Sequence, residues 1–413
     1  MSAPGKPLPG DRVRDIRTSR TVTPARTSFY FASPDTELIV DETASPEPVT
    51  DRVTDSVSTG LVTDPGAGSV AAVVERLRAA AGSGRPETAA VGMLPFRPDT
   101  PPRLTVTANV RMSRAATAPL PATVSAPRPR FHTARSEPAE EHYLAAVQEA
   151  LRRLADGKLD KVVLARTLRL IADAPVDLPA LVESLRRHNP YGYVFAAPLP
   201  GPGTLVGASP ELLVAKRGRT VRSHPLAGTV ARSADPAEDA RRAEALLASA
   251  KNLHEHALVV EAVTATLRHY CRDVDAPARP SLTHTETLWH LGTPVRAILR
   301  DPATSSLELA AALHPTPAVC GTPADPAREL ISELEPFDRG FYAGAVGWCD
   351  ARGDGEWAVT IRCAEVEDRS LRLYAGAGIV PGSTPAGELA ETTAKFRTLL
   401  DALGLATRYL GRD

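Results

Sequence analysis

Aromatic side chains are scarce in this 413-residue sequence, at 5%. Its core must therefore come mostly from Ala, Val and Leu, within a hydrophobic content of 43%. Charge imbalance is missing too. The formal net charge is −1, which argues against a nucleic-acid or membrane-surface role resting on bulk electrostatics. The four cysteines, Cys271, Cys320, Cys349 and Cys363, show no CxxC spacing and read as reduced thiols of a cytoplasmic protein, not as a disulfide framework. No run approaches the ~20 apolar residues of a membrane span. The polar N-terminus also lacks the roughly 7–15-residue apolar stretch of a secretory signal. There is no internal repeat and no βαβ dinucleotide unit. At Gly376-Ala377-Gly378 the third glycine of such a fingerprint is replaced by Pro381 and no helix opens.

What is present reads as a large α+β protein. Residues 1–26 are rich in Pro, Arg, Thr and Asp and are expected to form a disordered tail, leaving 27–413 as one domain. Ser28–Ser33 and Glu37–Val40 read as short strands flanking a Pro-Asp turn. Ser69–Gly82 has helical period, and Ala90–Phe96 and Leu104–Thr107 read as strands. Residues 111–138 form a Pro-rich connector, a long surface crossing within the domain. Glu140–Asp156 is an amphipathic helix stopped by Gly157. Lys161–Ile171 follows as a strand and Leu178–His188 as a helix. Tyr193–Ala197 and Thr204–Ala208 pair, and Ser209–Val214 continues the pattern. A long helix is expected from Pro236 to Tyr270, with Ala243, Leu246, Ala250, Leu253, Ala257 and Val260 as its main seam. Near the end, two strands joined by Gly353-Asp354-Gly355 and a third ending at Gly378 lead into a helix capped by Thr384, with Pro385 at its first position.

That last helix carries Glu388, Glu391 and Lys395 on one face. Paired carboxylates suit a hard, oxygen-seeking cation such as Mg²⁺, yet spacing alone favours a solvated face with an intrahelical ion pair. Glu255 differs, because it shares an apolar side of its helix with Leu258, Val259 and Ala262. A buried carboxylate there needs a partner or a metal. His254 and His256 flank it on other sides of the helix, so the triplet is not a zinc motif and both histidines read as structural. Lys161 and Glu211 each head a strand. Each alone reads as an edge charge reaching solvent. If buried, the lysine suits a general base and the glutamate a general acid. The Gly376–Gly378 backbone reads as a place of close approach to a bound anion.

Taken in order, Lys161-VVLA-Arg166, Gly207-ASP-Glu211, Pro225-LAG-Thr229, His254-Glu255-His256, Leu288-WHLGT-Pro294, His314-PTPAVC-Gly321, Glu335-PFDR-Gly340, Thr360-IR-Cys363, Gly376-AGI-Val380 and Glu388-LAE-Thr392 resemble the chorismate-utilising enzymes, most closely the isochorismate synthases of siderophore pathways. The resemblance is strong from Glu140 to Leu405 and weak from Ser28 to Thr107. It implies packed, mostly antiparallel sheets enclosing the active site with helices outside, and a Mg²⁺-dependent isomerisation of chorismate; with no extra interface motif in the sequence, a monomer is expected. Lys161 would be the base activating water for attack at ring carbon 2, and Glu211 the acid protonating the departing C4 hydroxyl. Glu255 and Glu391 would hold Mg²⁺, with Glu388 contributing directly or through water. Gly228 and Lys395 would help hold the ring carboxylate, and Tyr342, Arg362 and Gly376 the enolpyruvyl carboxylate. Thr229, His290, Ala318 and Val319 would line the substrate site. Ala227 stands where aminodeoxychorismate synthases carry a nucleophilic lysine, which argues against that branch. Salicylate synthase, aminodeoxyisochorismate synthase and an inactive chorismate-binding paralogue remain the alternative readings.

Overall fold

In the strand Tyr193–Pro198, Phe195 and Ala197 enter one apolar cluster while Val194 enters another, because successive side chains of a strand point to opposite faces. The computed structural model describes residues 27–41, 69–114 and 129–406, so the expected tail before residue 27 lies outside the described residues. Tyr193–Pro198 belongs to a ten-stranded sheet. Its order is Gly321–Thr322, Lys161–Ala172, Ser370–Ile379, Cys363–Glu367, Thr204–Ser209, Tyr193–Pro198, Thr27–Ala32, Thr36–Asp41 and Val110–Arg114, with Phe131–Ser136 also pairing to Lys161–Ala172. An eight-stranded sheet runs Cys271–Asp275, Val295–Leu299, Thr220–His224, Leu212–Arg217, Gly355–Val359, Ala345–Asp350, Ala89–Leu94 and Arg103–Thr107. Leu226–Ala231, Leu288–Gly292 and Ser281–His284 form a third, three-stranded sheet.

The larger apolar cluster draws Phe31, Leu164 and Phe195 from the ten-stranded sheet and Val214, Val346 and Trp357 from the eight-stranded one. The two sheets therefore share one core. The second cluster joins the ten-stranded sheet to the helices Leu178–His188 and Pro385–Leu403 through Leu185, Phe396 and Leu400. This is the expected α+β architecture of antiparallel sheets with helices outside.

Three expectations need correction. Ser209–Val214 is not one strand. Thr204–Ser209 ends in the ten-stranded sheet and Leu212–Arg217 begins in the eight-stranded one, so Pro210 and Glu211 form a corner between sheets. Residues 111–138 are not all connector either. Val110–Arg114 pairs with Thr36–Asp41 and Phe131–Ser136 with Lys161–Ala172, while 115–128 lie outside the described residues. Finally, the long helix is two: Pro236–Ala248 and Ala250–Tyr270. Ser249 takes an extended conformation between them, and its hydroxyl accepts from Asn252 N at 3.3 Å, capping the second helix. The break turns the second helix, so Ala250 and Ala257 of the expected seam are exposed. Glu255, His256, Val259, Val263 and Leu267 are buried instead.

The cap at Ser249 aims the helix that carries Glu255. Ser249→Ala should cost about 1 kcal/mol of stability, read as a shift in the urea midpoint. An unchanged midpoint would mean that packing alone sets the break.

Candidate active site

Lys161 opens the strand that pairs with Ser370–Ile379 on one side and Gly321–Thr322 on the other. Its side chain is 0% exposed and its Nζ lies 2.9 Å from Glu255 Oε1. The approach lacks hydrogen-bond geometry, so Nζ keeps free donor capacity. A buried charge without a counter-charge is strongly destabilising, so the solvent-reaching edge lysine is ruled out. Gly378 makes the pair possible: a Cβ there would fall 2.0 Å from Glu255 Oε1 and 2.8 Å from Lys161 Cε. This end of the strand thus accommodates an ion pair.

Glu211 sits on the corner between the two large sheets. A second crossing runs beside it, Thr360–Arg362, leading from Gly355–Val359 in one sheet to Cys363–Glu367 in the other. Val359 N donates to Glu211 O and Ala208 N to Arg362 O, both at 3.1 Å. The two crossings therefore hold each other. Arg362 takes φ +52°, a left-handed conformation uncommon for a non-glycine residue and concentrated at functional sites. Glu211 is buried, with only Leu226 N at 3.5 Å on Oε1. Burial pushes its carboxyl up to about 7, against the pull of that N–H and of Lys161, Arg362 and Lys395. Burial likewise lowers Arg362 to about 10, and its Nε is buried without a hydrogen-bond partner.

The helix Pro385–Leu403 brings the remaining charges. The intrahelical pair expected of its polar face exists, Lys395 Nζ to Glu391 Oε1 at 2.6 Å, but it lines a cleft instead of facing bulk solvent. Lys395 also donates to Gly376 O at 2.8 Å. Glu388 is buried and pairs with Lys251 at 2.6 Å. Burial and the neighbouring Glu391 raise its carboxyl, and Lys251 opposes them. Lys251 escapes a sequence reading, because its partner lies 137 positions away. The available hint is its place one turn before Glu255. Arg166, buried, donates to Thr392 Oγ1 at 2.9 Å and to Thr393 Oγ1, tying this helix to the Lys161 strand.

A third wall comes from the three-stranded sheet. Leu226–Ala231 supplies Gly228 and Thr229, and Leu288–Gly292 supplies His290, whose Nδ1 lies 2.9 Å from Thr229 Oγ1. Burial holds His290 well below its ordinary value, so it is a neutral imidazole, and its Nε2 has no partner. His256 is structural as expected. Burial lowers it to about 4, so the neutral ring donates Nδ1–H to Ala227 O at 3.2 Å and accepts at Nε2 from Thr293 Oγ1 at 2.7 Å. His254 is exposed.

These walls line one cleft. Of the residues singled out from sequence, Glu211, Gly228, Thr229, Glu255, His290, Ala318, Val319, Tyr342, Arg362, Gly376, Glu391 and Lys395 line it. Lys161 and Glu388 stand behind that lining, on Glu255 and Lys251 respectively. Tyr342 stacks on Tyr374 with ring centroids 4.8 Å apart, and a Cβ at Gly376 would lie 2.7 Å from its hydroxyl. The donor chemistry fits a hard cation. Glu255, Glu388 and Glu391 are carboxylates near one cleft, and Glu388 Oε2 is buried without a well-formed hydrogen bond. Among the described residues, however, no three acids, histidines or cysteines converge on one point. Each of these carboxylates is instead held by its own lysine.

A family model described as chorismate binding enzyme matches residues 96–404. The isochorismate synthase DhbC of Bacillus subtilis is 51% identical over 339 residues, covering 81% of this chain and 85% of that one. The vibriobactin-specific isochorismate synthase of Vibrio cholerae is 46% identical over 314 residues, covering 76% and 79%. Among solved structures, DhbC of Bacillus anthracis, assigned as 2,3-dihydroxybenzoate-specific, aligns with TM-score 0.81 at 46% identity over 92% of this chain and 96% of that one. MenF, the menaquinone-specific isochorismate synthase of Escherichia coli, aligns with TM-score 0.73 at 26% identity over 92% and 89%. The acid corner, the unpartnered arginine and the carboxylate-bearing helix thus lie within the matched region, and the chain belongs to the chorismate-binding enzymes.

Proposed function

We infer that this protein is an isochorismate synthase, an isomerase that adds water at ring carbon 2 of chorismate as the C4 hydroxyl departs, feeding 2,3-dihydroxybenzoate or siderophore biosynthesis. The observation that carries the reading is Glu211. It is a buried carboxyl held near 7 in a cleft that also contains an arginine with an unpartnered Nε. Protonated Glu211 can donate to the leaving hydroxyl, which departs as water. Lys161 takes the proton from the attacking water, and both ring double bonds shift by one position as the C4–O bond breaks, so no atom is gained or lost overall. Arg362, Lys395 and the Gly376 backbone suit the carboxylates of a dianionic substrate. Neutral His290 offers one ring nitrogen to it. Glu255, Glu391 and Glu388 are the residues that would hold Mg²⁺. When bound, the ion supplies positive charge to the substrate carboxylate. The same reading makes the enzyme a cytoplasmic monomer acting on a small molecule, without nucleic acid or membrane.

Four measurements bear on this. Incubation with chorismate and Mg²⁺ should yield isochorismate without pyruvate, resolved by chromatography alongside a coupled pyruvate assay; stoichiometric pyruvate would sink the reading. Because the acid must be protonated, kcat should fall as pH rises through about 7. Glu211→Gln should lower kcat by about 10²–10⁴ and leave chorismate binding largely intact, whereas lost binding would make Glu211 a ligand. Calorimetry should find that Mg²⁺ and chorismate tighten each other's binding by the same factor, and that Glu391→Gln weakens Mg²⁺. Unchanged Mg²⁺ affinity in that variant and in Glu255→Gln would dismiss the proposed ligand set.

A further inference from the structure

Apart from the charges at the cleft, the Glu335-PFDR-Gly340 segment contributes a buried ion pair whose role is unassigned above. Glu335 and Arg339 are among the most deeply buried charges of the protein, their side chains 3% and 2% exposed. Arg339 Nε donates to Glu335 Oε2 at 2.8 Å and its Nη2 to Glu335 Oε1 at 2.6 Å, a two-point grip. The other bonds leave the pair. Nη1 donates to Val319 O at 2.8 Å and Nη2 to Val163 O at 2.7 Å. Glu335 Oε1 accepts from Ala165 N at 2.7 Å. The guanidinium also lies 4.4 Å from the Phe96 ring centroid and 5.9 Å from that of Tyr342. Arg339 O accepts from Tyr342 N at 2.8 Å.

Three separate stretches of cleft wall therefore meet on one side chain: Val163, two residues from Lys161; Val319; and Tyr342. Without it their union is slight. The segment holding Val319 joins the Lys161 strand through a ladder of only two residue pairs, Gly321 with Val162 and Thr322 with Lys161, and two further bonds, Val163 N to Cys320 O and Asp160 N to Thr322 O, each 2.8 Å. A buried ion pair is a weak way to gain stability, because apolar residues of similar volume often do as well. It is a strong way to fix geometry, since a planar guanidinium aims its donors in set directions.

We propose that Arg339, oriented by Glu335, is a positioning residue of the reaction: it fixes the spacing of Lys161, Val319 and Tyr342 around the bound ring. This rests on the reading of the cleft as the isochorismate-forming site. Of the residues assigned to the substrate carboxylates it reaches only Tyr342, through the ring face and one backbone bond, and it touches none of the proposed metal carboxylates, so its loss acts on turnover more than on binding.

The test compares wild type with Arg339→Lys, which keeps the charge but cannot reach Glu335, Val319 O and Val163 O together. In Arg339→Lys, kcat should fall about 100-fold with KM within about threefold of wild type. Hydrogen exchange should rise at residues 161–165 and 316–320 and stay unchanged in the helix 385–403. Exchange is read without substrate, so it reports on Arg339 even if wild type forms some other product from chorismate. Glu335→Gln, which retains the acceptor for Ala165 N, should change both readouts in the same direction by a smaller factor, and it carries the test if the lysine variant does not fold. A variant whose loss lies only in melting temperature, or only in KM, or whose exchange at 161–165 and 316–320 matches wild type, overturns the proposal.

Discussion

Burial of opposed charges in and behind one cleft is the constraint on which the rest of this structure depends. Glu211, Glu255, Glu388 and Glu391 face Lys161, Lys251, Lys395 and Arg362, and three of the acids are within 3 Å of a lysine, at 2.9, 2.6 and 2.6 Å. Each pair spans separate elements or successive turns, so each fixes a relative position as it neutralises a charge. Glu211 is the exception, for it has no cation at contact distance and accepts only one long backbone bond. Desolvation therefore wins over the more distant positive charges, and Glu211 is free to carry a proton near neutrality. The acid is selected by what it lacks.

The sheets explain how such residues come together. A strand buried on both faces offers few places for a charge, but a strand leaving one sheet for another must bend, and its corner residues face the gap between layers. Here two adjacent strands make that passage side by side, at Pro210-Glu211 and at Thr360–Arg362, and hydrogen-bond across it. A similar pair passes from the eight-stranded to the three-stranded sheet, at Pro225 and at Thr293-Pro294, clamped by His256 through Ala227 O and Thr293 Oγ1. That second passage delivers Gly228, Thr229 and His290. The positive φ of Arg362 is a local cost of turning this corner, offset by the pairing on either side.

Local signals were legible in the sequence where chemistry is local. Thr384 with Pro385 marked the last helix to the residue, and Leu178–His188 matched its helix at both ends. Alternation located Tyr193–Pro198 and Thr204–Ser209. Burial of isolated charges was not legible. Lys161 and Glu211 look like strand-edge charges until the sheets that cover them are known, and Glu388 looks solvated until Lys251 is seen beside it. The break at Ser249 was hidden because apolar period continues across it, so the expected seam ran to the exposed Ala257. Cleft residues were placed by the ordered motif set, not by any one spacing. Arg339 lay inside a quoted motif, but its role depends on Val163 O, 176 positions away, and on Val319 O, 20 away, contacts that no periodicity encodes.

Charge balance explains why the lysines and a divalent cation are compatible. In the structure each proposed metal carboxylate already has a monovalent partner, so the cleft is close to neutral as it stands. A dianionic substrate alone would shift it by two negative charges, and Mg²⁺ alone by two positive ones. In a low-dielectric enclosure either shift carries a large desolvation penalty. Added together they leave the net charge where it began. On that reading Lys395 need only re-aim, from Glu391 toward the incoming carboxylate. On the proposed reading, a site built this way favours joint occupancy by cation and substrate over either alone.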